Sequence, residues 1–170
     1  LELAAMGSTQ TVAAKLTNWL VSPDLVLGIK PAGWIQTRDR TNPLSHSFFA
    51  LGCARAGLDI MEQAQSSHFP TIAEAYEALN GELTHCREQT YSALDRQSST
   101  NSLTLRARAI DLAVRCAHGA VIVSRGAANF GTHPAQRVYR EALAFTVFGQ
   151  TSNVMEASLN HIIRASSHPG

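Results

Sequence analysis

Charged and aromatic residues are scarce in this sequence. Of its 170 residues, 16% are charged and 6% are aromatic, and the formal net charge at pH 7 is +1. A charge so close to zero argues against a nucleic-acid binder that relies on neutralising phosphates. The hydrophobic content of 45% argues against a disordered chain. Small side chains, alanine above all, must supply much of the packing, which is typical of a helical protein with part of its surface covered.

Cysteines and long apolar runs are scarce as well. Cys53, Cys86 and Cys116 are too few and too scattered for a disulfide framework or a zinc site. We interpret them as buried small hydrophobes in a reducing compartment. No apolar run approaches the ~18 residues of a membrane span, and no secretory signal pattern is present. We therefore expect a cytoplasmic protein without a membrane span, and we expect the apolar start at Leu1 to be a cut through a longer protein.

Residues 1–41 differ in character from the rest of the chain. They contain both tryptophans, two of the six prolines and several glycine or serine breakers. Short apolar stretches at 11–17, 19–21 and 25–27 predict one or two strands with loops between them. Two strands alone bury too little surface to be stable, so we expect this segment to pack on something else.

From residue 42 onward the spacing of apolar residues predicts helices. Asn42 and Pro43 are typical of a helix start, with a cap followed by proline at the first helical position. The predicted helices cover residues 42–66, 71–94, 102–126, 135–148 and 152–164. The inner face of the third helix is rich in alanine, which favours close approach of a neighbouring helix. We predict a mainly α protein, an up-and-down four-helix-type bundle of about five helices with a short β-rich N-terminal segment.

Few residue patterns are typical of catalysis or metal binding. Glu82 and His85 form a Glu-x-x-His pair, but a di-iron bundle needs two such pairs and two further glutamates. We therefore predict no metal site and interpret the lone pair as a solvated helix face. Ser124 lacks the flanking glycines of a nucleophile elbow, and no phosphate-binding glycine loop is present.

Four arginines fall on the third predicted helix: Arg106, Arg108, Arg115 and Arg125. A guanidinium fork binds two phosphate oxygens at once, so these positions are candidates for meeting a phosphate. A solvated or interfacial stripe is the alternative, and the sequence alone favours it.

Residues 124–164 carry a series of motifs in a fixed order. They are Gly126, Pro134, Gln136-Arg137, Tyr139-Arg140-Glu141 and Gln150-Thr151. This series resembles the C-terminal helical domain of the acyl-CoA dehydrogenase family, and most closely its divergent second type, which also occurs in flavin monooxygenase relatives.

The resemblance extends upstream of these motifs. Residues 7–11 and 19–27 are similar to the end of the family's middle β-domain, and residues 49–59 are similar to the first helix of its bundle. The resemblance therefore implies that residues 1–41 are the tail end of a middle β-domain and residues 42–170 a C-terminal helical bundle domain.

Members of this family bind FAD between the β-domain and the bundle and oxidise acyl thioesters by hydride transfer to the flavin. The resemblance implies FAD contacts at Arg125, Gly126, Gln150 and Thr151. It also implies an FAD-dependent oxidoreductase acting on CH–CH groups in the active full-length protein, with a homo-oligomer (dimer or tetramer) and an acyl-CoA-type molecule as partners. Because the upstream flavin-binding strands are not in this chain, we do not expect it to hold FAD tightly by itself.

The sequence departs from the family where the chemistry is carried out. Gly149 stands where the dehydrogenases often carry the catalytic glutamate, and Phe148 stands where the monooxygenase relatives often carry a histidine. The catalytic base is therefore unassigned. Residues 65–70 replace an Arg-x-x-Phe-Gly segment whose arginine reaches the FAD of a neighbouring subunit.

Three functions remain open at this point. The chain is the C-terminal part of an acyl-CoA dehydrogenase-like flavoprotein that contributes to an FAD/acyl-thioester site and to oligomerisation. Alternatively, it is a non-catalytic helical module that kept the fold but lost the redox site. The third alternative is a flavin-dependent monooxygenase relative.

Overall fold

The computed structural model describes residues 2–34, 37, 44–95 and 101–166. Within these ranges the chain forms α1 (Ser47–Gln63), α2 (Pro70–Asp95), α3 (Ser102–Ser124), α4 (Pro134–Val147) and α5 (Ser152–Ser166). A 3₁₀ helix, Arg125–Asn129, directly follows α3. The prediction of a mainly α protein with about five helices is confirmed. The predicted start signal at residues 42 and 43 lies outside the described residues, and the helix itself begins at Ser47.

Helices α1 and α2 run antiparallel. The ring of Phe48 lies 5.4 Å from that of Tyr91 between centroids, and Arg55 further along α1 donates to Asn80 at 3.1 Å. Residues later in α1 therefore contact residues earlier in α2, as in an antiparallel pair. The linker of residues 64–69 between them is short, as the predicted helical hairpin requires.

Helix α4 also runs antiparallel to α1, on a different side of it. The thiol of Cys53 donates to the carbonyl oxygen of Val138 at 3.5 Å, and the ring of Phe49 stacks on that of Phe145 at 6.0 Å. Helices α1 to α4 therefore alternate in direction along the chain, which is the predicted up-and-down order.

Helix α3 is the centre of the fold, because it packs against each of the other four helices. Its buried face consists mainly of small side chains: Ala107, Ala109, Ala113, Cys116, Ala117 and Ala120. Parallel to it runs α1, whose Gly57 is so close that a Cβ there would stand 2.7 Å from the carbonyl carbon and oxygen of Cys116. The prediction that an alanine-rich face lets a neighbouring helix approach closely is confirmed.

The strands predicted between residues 11 and 27 are absent from the structure. Among residues 2–34, regular structure is limited to short 3₁₀ turns at Gly7–Thr9 and Pro23–Leu25 and the beginning of a helical turn at Trp34. Nearly every residue of this segment is exposed. A strand needs a neighbour for its backbone hydrogen bonds, and a lone two-stranded pair is marginal in water. The prediction of a β-rich segment is therefore wrong for these residues, because the described part of the chain offers no such neighbour.

No described helix has both the length and the apolar character to cross a membrane.

Candidate functional site

Two of the four residues implied for FAD contact, Arg125 and Gly126, lie at the C-terminal end of α3. Both are exposed. Arg125 has a φ of +53°, and its guanidinium carbon lies 5.0 Å from the ring centroid of Phe69 in the α1–α2 linker. This end of the bundle therefore presents a cation held over an aromatic ring.

The other two residues, Gln150 and Thr151, lie just before α5, at the opposite end of the bundle. The adjoining Gly149 is bound to Arg106 in the first turns of α3. Since Arg106 and Arg125 lie near the two ends of α3, a rise of roughly 1.5 Å per residue places them about 28 Å apart. One chain therefore does not bring the two pairs together.

The turn that carries Gly149 is anchored by a buried arginine. The Nη2 atom of Arg106 donates to the carbonyl oxygens of Gly149 at 2.6 Å and Phe148 at 3.1 Å, and the side chain of Arg106 is almost completely buried. These carbonyls directly follow α4. At the C-terminal end of a helix the last carbonyl groups have no partner within the helix, and the helix dipole has its negative end there, so a cation is favourable. No motif in the sequence indicates this role of Arg106, because the arginine and the turn are far apart along the chain.

Gly149 has no room for a side chain. Its φ is +61°, a conformation that residues with a Cβ rarely adopt, and a Cβ there would stand 3.0 Å from Nη2 of Arg106 and 3.1 Å from Cε1 of His46. In the family that the sequence resembles, this position often carries the catalytic glutamate. Here a side chain would fit only if Arg106 and His46 shifted.

Glu82, which was assigned to a solvated helix face, instead joins α2 to α3. Its carboxylate accepts two hydrogen bonds from Arg115, at 2.9 Å and 2.6 Å, and the same guanidinium donates to Asp111 at 2.7 Å. The ring of His161 in α5 lies 3.4 Å from the Asp111 carboxylate. Hydrogen bonding from Arg115 lowers the pKa of Glu82 below its usual range. Glu82 thus takes part in an ion pair between two helices while its side chain stays partly exposed, and His85 is exposed.

A cleft of about 680 Å³ lies between α2, α3 and α5. We call it the arginine cleft, because Arg108 and Arg164 line it. The remaining lining residues are His85, Glu88, Gln89, Ser92, Ala93, Asn101, Thr104 and Leu105. A smaller cavity of about 340 Å³ lies between α1 and α2, near Arg55 and Tyr91. None of the four residues implied for FAD contact lines either of them.

The four arginines predicted on one helix have four different surroundings. Arg106 caps α4, Arg115 pairs with acids, Arg125 lies over Phe69, and Arg108 lines the arginine cleft. They do not form a common stripe. Of the four, only Arg108 lines the arginine cleft, so the phosphate hypothesis applies to Arg108 alone. The second arginine of the cleft, Arg164, lies on α5 and was not identified from the sequence.

The three thiols are buried, as the sequence predicts. Burial raises the pKa of Cys53 and of Cys116 to about 12, and it raises the pKa of Cys86 as well. A thiol in this state is neither a nucleophile nor a metal ligand at neutral pH. Within the described ranges, no group of three or more histidine, cysteine or acidic residues is arranged to hold a metal ion.

Helices α4 and α5 expose apolar side chains on their outer sides. In α4, Tyr139, Leu143 and Val147 follow one another at four-residue spacing, and Leu143 and Val147 are 52% and 63% exposed. In α5, Met155 and Leu159 have the same spacing and similar exposure. We call these two sets the outer apolar stripes. Helices α4 and α5 also bury apolar residues against the core, so both sides of each helix are partly apolar.

Comparison with known proteins assigns no family to this chain. No protein-family model matches the sequence, and a search of curated proteins finds no significant match.

Proposed function

We propose that this chain is the C-terminal helical part of an acyl-CoA dehydrogenase-like flavoprotein and that it assembles identical chains into a homo-oligomer. The up-and-down order of α1 to α4 agrees with the bundle that the resemblance implies. The observation that carries the proposal is the pair of outer apolar stripes, because exposed rows of apolar side chains mark interaction surfaces.

The accessible surface of the chain supports assembly. It amounts to 11875 Å², whereas a compact monomer of 18.3 kDa exposes roughly 8,100 Å². The excess of about 3,700 Å² is larger than the total surface that a standard protein–protein interface buries. The N-terminal segment contributes to the excess, since its Leu20 and Leu27 are almost fully exposed. In the proposed assembly, another chain or another part of the protein covers this segment and the outer apolar stripes.

The described residues of one chain do not bring together the four residues that the resemblance implies for FAD contact. Arg125 and Gly126 lie at one end of α3, Gln150 and Thr151 lie near its other end, and neither of the two cavities described above includes them. In the proposed assembly, one chain contributes the Arg125 end and another chain the Thr151 end of a site. FAD bound there would supply the hydride acceptor, and the base remains unassigned in this chain.

A non-catalytic helical module is the second candidate. It is favoured by Gly149, whose left-handed backbone and contacts with Arg106 and His46 close the position of the family's catalytic glutamate. In this case the fold and the self-association are retained, while the redox site is lost.

Light scattering at several protein concentrations tests the assembly. We expect a dimer or tetramer for the natural chain and a monomer for the double variant Leu143→Glu, Leu159→Glu, since each change places a charge in an outer apolar stripe. The matched control is Ile122→Glu, an exposed apolar residue of α3 outside the stripes, which should keep the natural mass. A natural chain that stays at 18.3 kDa at every concentration would contradict the proposal.

A further inference from the structure

The residues that line the arginine cleft carry more positive than negative charge. Arg108 enters it from the second turn of α3 and Arg164 from the last turn of α5. Glu88 is the single acidic side chain among the lining residues. With His85 neutral, the lining residues carry a net charge of +1.

Two acids on the neighbouring helix faces are bound to another arginine. Glu82 and Asp111 are both bound to Arg115, and Asp111 also lies within reach of His161. In the described part of the chain, no carboxylate lies within ion-pair distance of Arg108 or Arg164. Arg108 instead donates to the neutral amide oxygen of Gln89 at 3.2 Å.

The surroundings of Arg108 and Arg164 differ from those of three other arginines of the bundle. Arg55, Arg115 and Arg137 each pair with an acid four residues away on their own helix. Arg108 and Arg164 have no acid at that spacing. A partly enclosed space with two such guanidinium groups has the electrostatic character of an anion site.

The other lining residues add donors and a small apolar area. Ser92 and Thr104 provide hydroxyl groups, Asn101 provides an amide, and Leu105 and Ala93 provide apolar contact. The volume of about 680 Å³ falls within the range of small-molecule sites and exceeds what a lone inorganic ion fills. An organic molecule with an anionic group fits this combination best.

We propose that the arginine cleft binds an organic phosphate, with Arg108 and Arg164 holding the phosphate oxygens. The planar fork of arginine matches two oxygens of one phosphate, and charge-assisted hydrogen bonds are the stronger kind. The body of the molecule lies along the Leu105 side. The site contains none of the four residues implied for FAD contact, and it does not depend on the proposed function.

Isothermal titration calorimetry at fixed ionic strength tests this site with AMP, with inorganic pyrophosphate and with adenosine. We expect AMP to bind with a Kd below about 1 mM and adenosine, which lacks the phosphate, to give no measurable heat. Pyrophosphate should displace AMP. Each of the variants Arg108→Gln and Arg164→Gln should weaken AMP binding by about 10-fold or more, the range for losing a hydrogen bond to a charged group.

Two control variants separate phosphate recognition from general charge. Arg137→Gln removes an equally positive but exposed residue of α4 and should leave the Kd unchanged. Arg108→Lys keeps the charge but loses the fork, so its Kd should lie between those of the natural chain and Arg108→Gln. Circular dichroism shows whether each variant keeps its helices. The proposal is overturned if neither AMP nor pyrophosphate binds, or if adenosine binds as tightly as AMP. It is also overturned if the double variant Arg108→Gln, Arg164→Gln binds AMP with unchanged affinity.

Discussion

Replacing Gly57 by alanine tests the closest contact in the bundle. The added Cβ would stand 2.7 Å from both the carbonyl carbon and the carbonyl oxygen of Cys116, and 3.0 Å from the amide nitrogen of Ala117. Favourable contacts between carbon atoms lie at about 3.5–4.0 Å, so α1 and α3 must move apart by about 1 Å. All three contacted atoms belong to the backbone of α3, which cannot turn away as a side chain can.

The expected change in the free energy of unfolding combines two opposing effects. Overpacking a tight core costs about 1–3 kcal/mol, and a displacement of two whole helices places Gly57→Ala at the upper end of this range. Alanine also gains about 1 kcal/mol over glycine inside a helix. We therefore expect a net loss of about 2 kcal/mol, which lowers Tm by roughly 4–8 °C in a chain of this size.

Gly52→Ala is the matched control, because it lies in the same helix. Gly52 is exposed, and a Cβ there would meet nothing within 4 Å. This variant should be more stable than the natural chain by up to about 1 kcal/mol. Urea unfolding followed by circular dichroism measures both variants. A Gly57→Ala variant as stable as the natural chain would refute the close approach of α1 and α3.

Three further predictions concern the core, the ion pair and the thiols. Leu58→Ala should lower the free energy of unfolding by about 2–5 kcal/mol in the same urea assay, since Leu58 is fully buried between the helices. Glu82→Gln should cost about 1 kcal/mol at pH 7, the upper range for a half-exposed pair with Arg115. Because the pKa of Glu82 is lowered in the folded state, its stabilisation is present above about pH 5 and is lost as the pH falls through the folded pKa. The difference between natural chain and variant should therefore shrink below about pH 4, and a difference independent of pH would exclude this account. Burial raises the pKa of Cys53 and Cys116 to about 12, so the thiols should not react with a disulfide reagent at pH 8 until the chain is unfolded. Rapid labelling of the native protein would show instead that the thiols are accessible.

The helices could be predicted from sequence because their signals are local. Apolar residues recur at helical spacing, and the helix predicted over residues 135–148 is present as α4, Pro134–Val147. The small side chains of α3 likewise indicated a close neighbour. The pairing of strands, by contrast, depends on residues far apart in the sequence. Short apolar stretches form strands only where another strand is available, which explains why the strands predicted between residues 11 and 27 are absent.

The candidate sites depend on contacts between distant residues and were therefore only partly predictable. Arg106 reaches Gly149, and Glu82 reaches Arg115, across helices whose mutual orientation no short motif encodes. The sequence does contain one usable signal for the arginine cleft. Arg108 and Arg164 lack an acid four residues away on their own helix, whereas Arg55 has one in Asp59. The packing of α5 on α3 decides that these two arginines line the same cleft.

The visible absorption spectrum of the complete gene product tests the central proposal most directly. The proposal predicts bound flavin in the assembled protein and loss of the flavin when Leu143→Glu and Leu159→Glu separate the chains. Bleaching of the flavin by an acyl-CoA would identify a dehydrogenase, and flavin that reacts only after chemical reduction and oxygen would identify a monooxygenase relative. An assembled protein that is colourless and takes up no added FAD would contradict the flavoprotein assignment and leave the non-catalytic helical module.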